Sequence, residues 1–300
     1  MKIRTMLLCC AAGLASLPAL AVEHFVTPDD AGDALVTAIA HRDRAALERL
    51  FGPQYGDFFD LGPGDAARQR IGRFVAQYRE SHVWRDVSPQ RKVLKTGADN
   101  WPFAIPLVAT HGQWQFDPAA GRDELLNREI GANELSTIEA LKELQLAQSE
   151  YFRRNPDRSP IPHYAGRIDS HPDTRDGLYW PGGEGDAASP IGPLFARAAR
   201  DMAGKDKPAR PFFGYYYRLL DRQGKDAPGG AYSYLVRGQL YGGYAVIAWP
   251  ADYGKSGVMT FITSHDGRIY QRNLGAHTGE AVRAIDSFNP DSDWEPVSRP

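Results

Sequence analysis

After Cys10 the chain contains no cysteine. Any fold it adopts beyond that point is held by buried apolar surface and hydrogen bonds, without disulfides or cysteine-ligated metal. The position of Cys9 and Cys10 tightens this constraint. Lys2 and Arg4 precede an apolar run from Met6 to Leu20, and Ala19-Leu20-Ala21 has the small-x-small form of a cleavage site before Val22. These features predict a signal peptide over residues 1–21 and an exported mature chain, periplasmic or secreted. Gly13 and Pro18 interrupt the run, which is short for a bilayer, so no transmembrane anchor is expected after cleavage.

Losing Lys2 and Arg4 with that segment takes the formal net charge from −2 to −4. A near-neutral surface of mixed sign has no electrostatic footprint for nucleic acid or anionic membrane. The length of 300 residues suits about two domains on a prior of ~150 each. Their seam is marked by Pro156, Pro160 and Pro162, which cannot continue a helix. The expected layout is an α+β domain over residues 22–154, a loop-rich linker with a short helix over 155–213, and an antiparallel β domain with a C-terminal helix over 214–300.

In the first half, Thr27-Pro28-Asp29-Asp30 reads as a helix start, with Thr27 as cap and Pro28 in the first turn. Leu35, Ala38 and Ile39 continue at helical spacing, Asp43 caps a second helix, and Ile71, Phe74, Val75 and Tyr78 share one face of a third. Strand-like runs follow at Val83 to Val87, Arg91 to Lys95, Trp101 to Val108 and Gln113 to Asp117, then a long helix from about Asn133 to Arg153. The second half alternates glycine-bounded runs rich in aromatic and β-branched residues, from Gly214 to Leu220, Tyr232 to Val236, Gly243 to Trp249, Gly257 to Ile262 and Arg268 to Tyr270. His265-Asp266-Gly267 is a hairpin turn, and a closing helix from about Thr278 to Phe288 covers one sheet face.

The order of elements over about residues 25 to 125, including "WPFAIPLV" and "GQWQFD", resembles a nuclear-transport-factor-2-like cone. The run from Gly214 to Leu274 is similar to the sheet-bearing head of type IV pilin-like proteins. The blocks "LNREIGANEL", "RDGLYWP", "GGYAVIAWPADYGKSGVMTFI" and "DGRIYQRNLG" together closely resemble an exported bacterial family of uncharacterised proteins, domain of unknown function 2950. That resemblance spans about residues 25 to 294 and implies export to the cell envelope and a two-part architecture, with no established activity.

Motifs for catalysis are largely missing. There is no G-x-S-x-G elbow, no H-E-x-x-H helix and no thiol after the leader. Gly254-Lys255-Ser256 lacks the first glycine of a phosphate loop, and no cofactor or metal is expected. The one polar cluster that invites a chemical reading is His163, His171, Asp173 and Asp176, which as a His/Asp loop could serve a cofactor-free hydrolase. Aspartates capping turns are the structural account of the same residues. Tyr216, Tyr232, Tyr234, Tyr179 and Trp180 are the binding candidates, from a wider set that includes Trp249 and Tyr253. Tyr216 should face opposite to Tyr215 and Tyr217 if their strand is regular. The expected role is binding or assembly, with an envelope protein or a glycan as partner.

Overall fold

The computed structural model describes residues 22–59, 64–182, 188–193, 195 and 211–298. The expected signal peptide, residues 1–21, lies outside them, as do residues 183–187, 194 and 196–210 of the expected linker. The fold is α+β, with antiparallel pairing in both main sheets. The chain divides into two compact units between Leu125 and Leu126.

In the first unit, α1 (Pro28–His41) begins at a capping box. Thr27 Oγ1 accepts from the Asp30 N–H while Asp30 Oδ2 accepts from the Thr27 N–H, each at 3.2 Å. Leu35, Val36 and Ile39 form its buried face, and Arg42 ends it in the left-handed region at φ 53°. Asp43 Oδ1 accepts from the Ala46 N–H at 3.0 Å and so caps α2 (Arg44–Phe51). After α3 (Asp65–Glu80) come β1 (His82–Ser88), β2 (Arg91–Thr96), β3 (Trp101–Pro102), β4 (Leu107–Thr110) and β5 (Gln113–Phe116). The order is β1-β2-β4-β5, with β3 also on β2. The single strand expected from Trp101 to Val108 is split, because Pro102 and Pro106 cannot donate to a ladder. Leu35, Leu50, Phe51, Leu94, Leu107 and Phe116 meet in the core.

The long helix α4 (Pro118–Arg154) starts about four turns earlier than its apolar spacing predicts. Asp117 caps it, with Oδ1 accepting from the Ala120 N–H at 3.1 Å, and Pro118 occupies the first turn. Gly121 looks like a helix breaker in the sequence. It serves close approach instead, since a Cβ there would lie 2.6 Å from Ile105 Cγ1.

In the second unit, β6 (Tyr215–Leu220), β11 (Ala245–Pro250), β12 (Met259–Ser264), β13 (Ile269–Asn273) and β14 (Glu295–Pro296) form a sheet ordered β14-β13-β12-β11-β6. Two short pairs flank it, β7 (Arg222–Gln223) with β8 (Tyr232–Ser233) and β9 (Leu235–Val236) with β10 (Gln239–Leu240). One sheet face meets the part of α4 in this unit. Glu134 Oε1 accepts from the N–H groups of Val258 and Met259, both at 2.9 Å, and Gln145 Nε2 donates to Thr263 Oγ1 at 2.6 Å. The other face meets α5 (Thr278–Ala284), which ends one turn before the expected Phe288 because Ile285 turns extended and Phe288 enters the core.

The stretch after α4 joins the same core through Ala165, Ile168, Leu178 and Trp180. Gln148 pins it, its side chain exchanging two hydrogen bonds of 2.9 Å with the backbone of Ala165. Among the described residues, no helix is long and apolar enough to cross a membrane.

Candidate functional site

The His/Asp cluster resolves into two separate pairs. His163 is buried with its side chain 2% exposed, its Nε2 on Asp157 Oδ2 and its Nδ1 on the Tyr164 carbonyl, both at 2.9 Å. Both ring nitrogens face oxygen atoms of the protein itself, so with the side chain buried neither is presented to a ligand. His171 lies at the surface, 2.5 Å from Asp176 through Nδ1, with Arg167 Nη1 against its Nε2 at the same distance. Among the described residues, no serine, threonine or tyrosine hydroxyl hydrogen-bonds to either imidazole. No group of three or more His, Cys, Asp or Glu among them could hold a metal ion.

Asp176 organises the loop. Its carboxylate accepts from the His171 N–H at 2.9 Å, the Thr174 hydroxyl at 2.6 Å and the His171 ring. Burial pushes its pKa upward, but these hydrogen bonds outweigh it and lower the pKa from 3.8 to about 2. His171-Pro172-Asp173-Thr174 closes a turn through Thr174 N–H to the His171 carbonyl at 3.1 Å, with Asp173 at φ 59° in the position that favours Gly or Asn. Gly177 allows the loop to shut on itself, since a Cβ there would sit 2.7 Å from the Ser170 nitrogen. Tyr179 then exchanges backbone hydrogen bonds of 2.8 Å with Ile168 and Ser170.

The aromatic candidates separate by burial. Tyr215 and Tyr217 point into the core and Tyr216, between them, points the other way. Tyr234 is a correction: it is 0% exposed, its hydroxyl donating to Gln223 Oε1 at 3.0 Å, because the expected strand from Tyr232 to Val236 breaks at this residue and turns it inward. Trp180 is likewise corrected, being 4% exposed with the guanidinium groups of Arg154 and Arg175 each 5.7 Å from its ring. Tyr179 is half-buried, and Tyr232 is exposed with its ring edge-on to Tyr234.

Tyr216 lines an open groove of about 680 Å³ between the outer sheet face and α5. Trp249 lies opposite Tyr216 in the β6–β11 register, their ring centroids 5.9 Å apart, and Tyr253 follows on the loop after β11. Alternation along β6 brings Arg218 to the same face, and α5 contributes Val282 and Arg283. Arg218 fixes this wall, its Nη2 donating to the carbonyls of Val282 and Ile285, both at 2.7 Å, at the negative end of α5. The aromatic members were readable as a set in the sequence. The two arginines were not, because Arg218 and Arg283 meet only when α5 packs over β6. The one local hint was the same-face spacing of Tyr216 and Arg218.

A family model described as protein of unknown function (DUF2950) matches residues 22–297. The chain belongs to this family. No curated protein and no solved structure matches it.

Proposed function

We propose that the protein is an exported, non-catalytic binding module that holds a saccharide in the groove between β6, β11 and α5. The observation that carries this reading is the convergence of Tyr216 from β6 and Tyr253 from the loop after β11 on one open concave surface, with the largely buried Trp249 backing Tyr216. Aromatic faces suit sugar rings, whose axial C–H groups pack against π-systems, and tyrosine and tryptophan are the side chains most enriched at recognition hot spots. Among the described residues lining the groove, Asp252 is the one carboxylate, and Lys255 Nζ holds it at 2.9 Å. A hydrolase built on His163 or His171 finds less support, since His163 is buried with both ring nitrogens on protein oxygens and the two histidines sit in separate pairs.

The test is a glycan array followed by calorimetric titration of the mature protein. Tyr253→Ala and Tyr216→Ala should each weaken binding by roughly tenfold or more, hot-spot aromatics contributing ~2 kcal/mol, while circular dichroism and the thermal midpoint stay close to wild type. Unchanged affinity in both variants would place the ligand elsewhere. The export half of the proposal is checked separately by N-terminal sequencing of envelope material, where a chain beginning at Val22 is expected and an intact Met1 would refute it.

A further inference from the structure

We infer that the saccharide held in this groove is acidic, carrying carboxylates on its rings as a uronate does. The inference rests on the binding reading above and adds the charge of the ligand.

Arg218 is half-buried and faces the groove. Burial lowers its pKa from the ordinary value, with Asp286 opposing, yet a guanidinium stays charged at neutral pH. One amino group, Nη2, is spent on the two carbonyls of the α5 end. No carboxylate among the described residues lies within ion-pair distance of it, and Asp286 instead stands 3.8 Å from Arg222. Asp286 acts on this partly desolvated cation without touching it, and a bound carboxylate would supply the charge-assisted hydrogen bond that Asp286 does not. Arg283 lies on the opposite wall, exposed and without a hydrogen bond or ion pair among the described residues. Asp252 is paired with Lys255, so the groove presents two cations beside the rings of Tyr216 and Tyr253. A neutral sugar would use the rings and leave both guanidinium groups unanswered. A chain of uronate residues uses both, its ring faces on Tyr216 and Tyr253 and its carboxylates on Arg218 and Arg283.

The experiment compares tetragalacturonate with its methyl ester, which keeps the rings and removes the charge. The acid should bind at least about tenfold more tightly, the preference should shrink as salt is raised, and Arg283→Gln should collapse it without lowering the thermal midpoint. Arg218→Lys, which keeps the charge but loses the fork, should reduce the preference, read as the ratio of acid to ester affinity. Equal binding of acid and ester would overturn the acidic assignment and leave saccharide binding standing. Tighter binding of the acid that survives both arginine variants would overturn it as well. Binding of neither would overturn the uronate assignment, while the glycan array decides the saccharide reading separately.

Discussion

The two units use their sheets differently. In the first, β1 is exposed along nearly its whole length, and β2 buries Leu94 and Thr96 while its other residues stay partly covered. That is a sheet with one face in the core and one facing outward. In the second, every residue of β11 is buried and so are five of the six residues of β12, because α4 covers one face and α5 lies over the other. The cover on the second face is short, as α5 has only 7 residues. A sheet covered on one face by a long helix and on the other by a short one leaves part of an inward-quality surface, aromatic and closely packed, open at a groove. This difference gives the second unit its candidate site.

Side-chain truncation gives the largest contrast. Ile247→Ala, in a β11 residue with no exposure, should cost about 2–5 kcal/mol in chemical denaturation, whereas Val87→Ala, 63% exposed on β1, should stay within about 0.5 kcal/mol. Comparable losses at both would mean that the sheets are not covered as differently as described. A second contrast lies within α4. Gly121→Ala should destabilise by about 1–3 kcal/mol through the clash with Ile105, while Gly131→Ala, with nothing within 4 Å of its Cβ, should stabilise by about 0.5–1 kcal/mol. Thermal midpoints moving in the same direction would contradict the close approach at Gly121.

Removing the capping box with Thr27→Ala should cost about 1 kcal/mol, and its effect should be confined to the first unit, seen as faster amide exchange in α1 with no change at β11 or β12. The smallest effect belongs to the second unit and depends on pH. The Asp176 pKa falls from 3.8 in the unfolded chain to about 2 in the fold, so the ionised carboxylate stabilises the folded form. That contribution is complete above about pH 4 and disappears as the pH drops through about 2. Because Asp176 is partly exposed, Asp176→Asn should cost under about 1 kcal/mol at pH 7, with the difference from wild type vanishing near pH 2. A difference that grows on acidification would reverse the sign and refute the assignment.

Some of this architecture is written in short stretches of sequence. The Thr27-Pro28-Asp30 and Asp43 caps, the Asp266-Gly267 turn with Gly267 at φ 83°, and the opposed facing of Tyr216 are each set by neighbours a few residues apart. The helix start at Asp117-Pro118 carries the same kind of local signal, and Gly121 just after it is set by a distant residue, Ile105, which packs against it from before the helix.

What tertiary structure alone decided are the features that need distant segments to meet. His163 finds Asp157 because Gln148 draws Ala165 onto α4, and that pairing takes the histidine into the interior. Tyr234 is inside because its N–H pairs with the Asp221 carbonyl beyond the turn, at 2.8 Å, and not with a partner in a continuous strand. Arg218 and Arg283 share a groove because α5 lies on β6. Local sequence fixes caps, turns and which way a strand residue points, since those energies arise within a few bonds. Which side chains face one another across a groove is set by burial and packing between elements far apart in the chain, and that information exists only in the folded protein.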